Sequence, residues 1–192
     1  MLRVAQLVCC TETEGPGRRF AVWTQGCSLG CPGCCNPEML PFVGGELWPV
    51  ERLARRVLET RGIEGVTLLG GEPMAQAGAC AELCARVRRE GLSVMLFSGY
   101  TLAALTAPGA DPAWAHLLAL TDLLVDGRFE REQPERRRRW IGSANQLLHF
   151  LTDRYQPQQP CFSAPNSLEI RLDGRGELSV NGWPDLARRL AR

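Results

Sequence analysis

The chain of 192 residues contains no lysine, so all 22 of its basic residues are arginine. This excludes Schiff-base catalysis and P-loop phosphate binding, because both need a lysine amine. Histidine is scarce too, and neither His116 nor His149 has a sequence partner that suggests catalysis. The formal net charge is +1, which provides no bulk electrostatic attraction to nucleic acid or to an anionic membrane.

Long apolar runs are also missing. No stretch approaches the roughly 20 apolar residues of a membrane span. The first ten residues lack the basic start and the long apolar middle of a signal peptide. We therefore expect a cytoplasmic protein with a single domain, residues 1–192. In a reducing compartment, nine cysteines favour metal binding or redox chemistry over disulfides.

Apolar strand patterns alternate with helical patterns along the chain. Strands are predicted at 2–10, 18–26, 65–70, 92–97 and 122–127. Helices are predicted from residue 50, at about 76–90 and after Thr101, whereas 128–140 reads as a loop and 147–152 is ambiguous. Two segments around Asp173–Gly176 predict a hairpin, and a short helix is expected at about 184–191. The alternation predicts an α/β fold with a parallel sheet covered by helices.

Four distinctive segments each begin where a predicted strand ends. They are the cysteine loop that starts at Cys27, the turn Gly70–Pro73, the segment Ser98–Tyr100 and the segment Val125–Gly127. In barrels and in open α/β sheets, the carboxyl edge of the strands holds the active site. We therefore expect these segments to meet at one site.

The cysteine loop, GCSLGCPGCC (26–35), carries Cys27, Cys31 and Cys34 with the spacing C-x3-C-x2-C. Three thiolates on one loop can bind a [4Fe–4S] cluster and leave one iron open for chemistry. Cys35 is an alternative ligand, but adjacent side chains diverge, and we prefer Cys34. A zinc-binding knuckle is the alternative, although zinc sites usually combine two separated ligand pairs.

These motifs resemble the radical S-adenosylmethionine (SAM) superfamily, whose signature is C-x3-C-x2-C followed by GGEP, here Gly70–Pro73. More narrowly, the chain resembles the small glycyl-radical activating enzymes, such as those of anaerobic ribonucleotide reductase and pyruvate formate-lyase. The matching stretches are EGPGRRFAVWTQGC (14–27), GCSLGCPGCCNPE (26–38), LFSGYTLAAL (96–105), LLVDGRFE (123–130) and GSANQ (142–146). The resemblance implies an incomplete (β/α) barrel with a core at about 14–152 and a C-terminal hairpin and helix extension at about 166–191.

The resemblance also implies the chemistry. A [4Fe–4S] cluster on Cys27, Cys31 and Cys34 would bind and reductively cleave SAM, and the 5′-deoxyadenosyl radical would abstract hydrogen from a glycine of a partner protein. Backbone acceptors around Gly70, Gly71 and Glu72 would contact the SAM amino group, and Pro73 completes that turn. Further cofactor-binding candidates at the same edge are Ser98, Asp126 and Asn145, whose alternative roles are a helix cap, a turn and a loop contact.

Two features depart from the resemblance or leave it open. Members usually carry an aromatic residue beside the last cluster cysteine, where this chain has Gly33 and Cys35. The arginine run 136–139 is either a solvated loop or a docking site for an acidic electron donor, flavodoxin or ferredoxin.

The sequence leaves two alternative functions open. One is a radical SAM enzyme that acts on a small molecule or peptide, of the 7-carboxy-7-deazaguanine synthase type. The other is a non-catalytic metal-binding module.

Overall fold

The computed structural model describes residues 1–172, 174–176 and 178–183, so the helix predicted at 184–191 lies outside the described residues. The strands in this part are β1 (Leu2–Thr11), β2 (Arg19–Thr24), β3 (Glu46–Trp48), β4 (Gly65–Gly70), β5 (Ser93–Phe97), β6 (Leu123–Asp126), β7 (Leu147–Phe150), β8 (Leu168–Leu172) and β9 (Leu178–Gly182). The helices are α1 (Val50–Glu59), α2 (Ala77–Arg89), α3 (Leu102–Leu105), α4 (Pro112–Ala119) and α5 (Pro160–Ser163). None of these helices has the length and apolar character that crossing a bilayer requires.

The first seven strands form one sheet in the order β3-β1-β2-β4-β5-β6-β7. Strands β2, β4, β5 and β6 run parallel to their neighbours in this group, which confirms the predicted α/β fold with a parallel sheet. The outer strands β1, β3 and β7 pair antiparallel. The predicted hairpin is confirmed as a separate sheet, in which β8 pairs antiparallel with β9.

Helices α1, α2 and α4 cover one face of the sheet and build the larger apolar core. In α1, Leu53 and Val57 are fully buried, and each contributes about 1.5–3 kcal/mol relative to an exposed side chain. Leu58, which the helical spacing also places on the apolar face, is exposed instead. The opposite face carries smaller apolar clusters and stays partly open.

The register of the parallel strands brings two of the motifs level with each other. In the β2–β4 pair, Trp23 lies opposite Leu69 and Thr24 opposite Gly70. The cysteine loop and the glycine turn therefore leave the sheet side by side. This is the physical basis for expecting their residues at one site.

A buried arginine closes the opposite, amino edge of the parallel strands. Arg19 is fully buried, and its guanidinium donates to Thr67 Oγ1 (2.6 Å), to the Val66 carbonyl oxygen (2.6 Å) and to Ser93 Oγ (2.9 Å). Burial lowers the pKa of Arg19, and the nearby Tyr155 opposes that shift. Thr67 Oγ1 in turn donates to the Glu14 carbonyl oxygen at 2.7 Å, so the network also holds the turn between β1 and β2.

Candidate active site

A cavity of about 420 Å³ opens on the sheet face that the helices leave uncovered. Its apolar wall comes from neighbouring strands, each of which contributes one side chain: Trp23 (β2), Leu69 (β4), Phe97 (β5) and Val125 (β6). The cysteine loop, the glycine turn and the β5 end complete it, with Cys27, Cys31, Cys34, Cys35, Gly70, Gly71, Glu72, Ser98 and Gly99. A volume in this range is typical of sites for small ligands and cofactors.

The cysteine loop is arranged to stabilise sulfur ligands. The Leu29 amide donates to Cys27 Sγ and the Asn36 amide donates to Cys34 Sγ, both at 3.4 Å. Hydrogen bonds to ligand sulfurs tune iron–sulfur clusters. Burial raises the pKa of the Cys34 thiol, the Asn36 amide opposes this, and Cys31 and Cys27 raise the pKa further. The three thiols are therefore electrostatic neighbours, and metal binding would release their protons.

These residues fit an iron–sulfur cluster in their chemistry, because cysteine thiolates are the ligands that such clusters take. Within the described ranges, no group of three Cys, His, Asp or Glu side chains is arranged to hold a metal ion. Cys27, Cys31 and Cys34 line one cavity with backbone amides at two of their sulfurs, and they would hold such a cluster.

Two backbone hydrogen bonds join the cysteine loop to the glycine turn. The Gly71 amide donates to the Thr24 carbonyl oxygen (2.8 Å), and the Glu72 amide donates to that of Gly26 (2.9 Å). A Cβ atom on Gly71 would lie 2.5 Å from the Gly26 carbonyl oxygen. Gly70 has φ +105°, and its Cβ would lie 2.7 Å from the Thr24 amide. Both positions therefore require glycine, because the two motifs pack backbone against backbone.

The Glu72 carboxylate connects the glycine turn to the end of β5. Its Oε1 accepts hydrogen bonds from the Met74 amide (2.9 Å) and from Ser98 Oγ (3.0 Å), and its Oε2 accepts one from the Gly99 amide (2.8 Å). Glu72 is almost fully buried. Burial raises its pKa, and the three hydrogen bonds oppose that shift. The residue thus sets the shape of the cavity through its side chain, a role that the GGEP motif alone does not indicate.

The remaining sequence candidates differ in position. Ser98 lines the cavity, donates to Glu72 and accepts a hydrogen bond from the Tyr100 amide at 3.1 Å.

Asp126, Asn145 and Pro73 are not among the residues that line the cavity. Asp126 Oδ2 accepts from the Leu102 amide (2.6 Å) at the start of α3 and lies 3.0 Å from His149 Nε2. Asn145 Nδ2 donates to the Arg128 carbonyl oxygen at 2.8 Å. The structure thus brings the cysteines, Gly70, Gly71, Glu72 and Ser98 together.

Sequence reasoning missed the aromatic side chains of the cavity. The cysteine loop supplies none, because Gly33 and Cys35 flank Cys34. The lining aromatics instead come from other segments: Trp23, Phe97, Phe129, Trp140 and Trp183. The alternation of β2 could have identified Trp23, since inward and outward side chains alternate along a strand.

A buried carboxyl group at the other end of the cavity was also missed. Glu14 follows β1 and lines the cavity together with Thr13 and Asn181. Burial raises the pKa of Glu14 to about 7, against hydrogen bonds from Asn181 and the Gly182 backbone. No local pattern indicates this contact, because Glu14 and Asn181 are 167 residues apart.

The loop predicted at 128–140 packs on the cysteine loop. Arg128 donates to the Leu29 carbonyl oxygen. A Cβ atom on Gly33 would lie 2.8 Å from the Arg131 side chain. Part of the arginine-rich segment therefore lies directly beside the cysteines.

A family model and several curated proteins match this chain in sequence. Residues 13–149 match the family model described as a 4Fe-4S single cluster domain. The anaerobic ribonucleoside-triphosphate reductase-activating protein of Vibrio cholerae is 34% identical over 147 residues, which cover 72% of this chain and 92% of that protein. The proteins of the same name from Escherichia coli K12 and phage T4 are 30% and 28% identical, over 72% and 75% of this chain and 92% and 91% of their own lengths.

Among solved structures, QueE from Escherichia coli matches 52% of this chain and 53% of its own, with a TM-score of 0.43 and 16% identity. The segment that the family model matches carries both motifs. The chain therefore belongs to the 4Fe-4S single cluster domain family and is a radical SAM enzyme related to the anaerobic ribonucleoside-triphosphate reductase-activating proteins.

Proposed function

We propose that this protein reductively cleaves SAM at a [4Fe–4S] cluster on Cys27, Cys31 and Cys34 and generates a glycyl radical on an anaerobic ribonucleoside-triphosphate reductase. The observation that supports this most is the joining of the cysteine loop to the glycine turn within one cavity, through the Gly71 and Glu72 amides. The 34% identical relative from Vibrio cholerae supports the choice of partner.

When bound, the cluster held by Cys27, Cys31 and Cys34 would pass one electron from an external donor to SAM and cleave its sulfur–C5′ bond. Transfer of a hydrogen atom from the glycine Cα of the reductase would then leave methionine, 5′-deoxyadenosine and a glycyl radical. The protein's part is to position the reacting groups and exclude water. The apolar side chains Trp23, Leu69, Phe97 and Val125 form a wall suited to this task.

Named residues of the cavity have distinct parts in the proposal. The Gly71 carbonyl oxygen, in the turn that lines the cavity beside the cysteines, is the acceptor that we assign to the SAM ammonium group. Glu72 holds Ser98 and Gly99 in place. In the proposal, the end of β5 thereby contacts the ribose or the carboxylate group of SAM. Asp126, Asn145 and Pro73 stay predictions, and their contacts favour roles in supporting the neighbouring loops.

We also propose that residues 1–192 form a single radical SAM domain with an incomplete (β/α) barrel. Strands β2, β4, β5 and β6 each direct one side chain into the same cavity. A concave sheet face of this kind is expected for an incomplete (β/α) barrel. The antiparallel outer strands β3 and β7 would form the borders of its opening.

The electron would come from flavodoxin or ferredoxin in the cytoplasm, as the sequence suggested. Arg128 and Arg131 lie against the cysteine loop, and residues 136 and 137 are exposed arginines. This places positive charge beside the cluster ligands, where an acidic donor would be attracted. Charge reversal at Arg136 and Arg137 should slow reduction by flavodoxin and leave reduction by dithionite unchanged.

An anaerobic activation assay tests the proposal. The protein is reconstituted with iron and sulfide, then incubated with SAM, dithionite and the anaerobic ribonucleoside-triphosphate reductase of the same organism. We expect about four irons per chain, 5′-deoxyadenosine by mass spectrometry and a glycyl-radical doublet by electron paramagnetic resonance. Cleavage of SAM without a radical on the reductase would favour the small-molecule alternative. A colourless protein with one zinc and no SAM cleavage would refute the assignment of the cluster.

A further inference from the structure

The C-terminal hairpin contributes directly to the cavity, although it lies outside the segment that the family model matches, residues 13–149. Val180, Asn181, Gly182 and Trp183 form a continuous stretch of the cavity lining at the end of β9. The hairpin therefore adds a wall to the cavity beyond the segment that the family model matches. The added wall faces the same space as the cysteines.

A polar network holds the hairpin against the end of β1. Asn181 Nδ2 donates to Thr11 Oγ1 (2.9 Å), Thr13 Oγ1 (2.7 Å) and Glu14 Oε1 (3.4 Å). Asn181 Oδ1 accepts from Arg171 Nη1 at 3.1 Å. One buried amide side chain thus connects both strands of the hairpin to the turn that Arg19 and Thr67 hold in place.

A second set of contacts holds the base of the hairpin. The Trp140 amide donates to Asn166 Oδ1 (3.0 Å), and Arg139 Nη2 donates to Ser167 Oγ (3.3 Å). Trp140 and Asn166 both line the cavity. Because the hairpin is held at two places, it presents a defined surface to the cavity.

The two ends of the cavity differ in chemistry. The cysteines lie beyond the carboxyl end of β2, whereas Glu14 precedes its amino end, and the six residues of β2 separate these ends by about 17 Å at 3.3 Å per residue. The far end combines hydroxyl, amide and carboxyl groups of Thr13, Asn181 and Glu14 with a strand backbone. Because these groups hydrogen-bond to one another, they fix the shape of this wall, and the cavity beside it is left for the substrate of the proposed function.

We propose that the β8–β9 hairpin is the wall against which the glycine-bearing polypeptide segment of the reductase lies, and that Asn181 is the positioning residue that holds this wall. This inference rests on the proposed function. The substrate segment would enter beside the hairpin and present its glycine Cα to the middle of the cavity, while the cofactors occupy the cysteine end. The hairpin would then determine which polypeptide is accepted.

The test compares radical formation on the reductase across a set of variants. Asn181→Ala removes the hydrogen bonds that hold the hairpin against the end of β1. We expect the KM for the reductase to rise about tenfold or more, which is the change in affinity expected when one well-formed hydrogen bond is lost. The ratio of glycyl radical to 5′-deoxyadenosine should fall as well. Glu14→Leu should have the same effect, whereas the conservative Glu14→Gln keeps an acceptor for Asn181 and should retain the KM. Ser179→Ala is the matched control, because Ser179 is exposed and lies two residues before Asn181 on β9.

The outcomes separate the two proposals. A wild-type protein that cleaves SAM but makes no radical on the reductase refutes the proposed function. A wild-type protein that activates the reductase, with Asn181→Ala and Glu14→Leu at the wild-type KM, overturns the role of the hairpin alone. If these variants do not fold, hydrogen exchange of the wild-type holoenzyme decides. Amides of residues 178–183 should gain protection when the reductase is added, and unchanged exchange there would overturn the inference.

Discussion

Replacing Glu14 by glutamine should stabilise the protein at alkaline pH, because the native carboxyl group is held in a buried site. Its pKa is raised from 4.5 to about 7, chiefly by burial. Between these two values the native protein holds a proton that the unfolded chain has released. Raising the pH removes that proton, so the free energy of unfolding falls. At 1.36 kcal/mol per pKa unit, the loss is about 3 kcal/mol once the pH exceeds 7.

The assay is urea unfolding of the anaerobic holoenzyme at pH 5, 6, 7 and 8, with wild type and Glu14→Gln measured side by side. Other shifted groups, such as Glu72 and Glu135, titrate in both proteins and cancel in the difference. The variant should match the wild type within about 1 kcal/mol at pH 5 and exceed it by up to about 3 kcal/mol at pH 8. Glu12→Gln, at an exposed neighbouring site, is the control and should follow the wild type. Parallel curves for Glu14→Gln and wild type would refute the assignment of a buried neutral carboxyl group.

Four further substitutions test the cysteine end. Cys34→Ala should abolish SAM cleavage and reduce bound iron, whereas Cys35→Ala should retain both, as measured by iron content and 5′-deoxyadenosine yield. Glu72→Ala leaves two amides and a hydroxyl group without their acceptor and should lower the free energy of unfolding by about 3 kcal/mol or more, as measured by urea unfolding. Gly71→Ala would place its Cβ 2.5 Å from the Gly26 carbonyl oxygen and should reduce both iron content and thermal stability.

Each of these expectations has a contradicting result. Equal iron and activity in Cys34→Ala, with loss in Cys35→Ala, would reassign the third ligand. If Glu72→Ala had the wild-type free energy of unfolding, the hydrogen bonds of the Glu72 side chain would make no net contribution to stability. For Gly71→Ala, the matched control is Gly78→Ala in α2, where a Cβ atom meets no atom within 4 Å. Similar losses in both glycine variants would show that packing against the cysteine loop is not the cause.

The parts of the fold that sequence could predict are those with strong local periodicity. The buried strands β4, β5 and β6 and the helix α2 follow from apolar patterns and glycine boundaries, and the structure confirms them. Strand β3 was missed because it has three residues and exists through its pairing with β1. The ambiguous segment at 147 became β7 for the same reason, since its register is set by β6.

The candidate site also has parts that the sequence could predict and parts that it could not. The cysteine loop and Gly70–Glu72 are contiguous motifs, and sequence alone placed them at one edge. The side-chain role of Glu72 was not predictable, because its partners Ser98 and Gly99 come from another strand. The Glu14–Asn181 contact joins distant parts of the chain, and no local rule indicates it. Long-range polar contacts of this kind depend on the completed fold.

The backbone hydrogen bonds from Gly71 and Glu72 to the β2 end have a consequence for how the enzyme matures. Because the two motifs share these bonds, any shift of the loop when iron and sulfide are inserted is transmitted to the turn and, through the Glu72 carboxylate, to β5. Under the proposed function, assembly of the metal centre would therefore also shape the pocket for the nucleoside of SAM. We expect the iron-free protein to bind SAM weakly, so insertion of the metal centre would precede SAM binding.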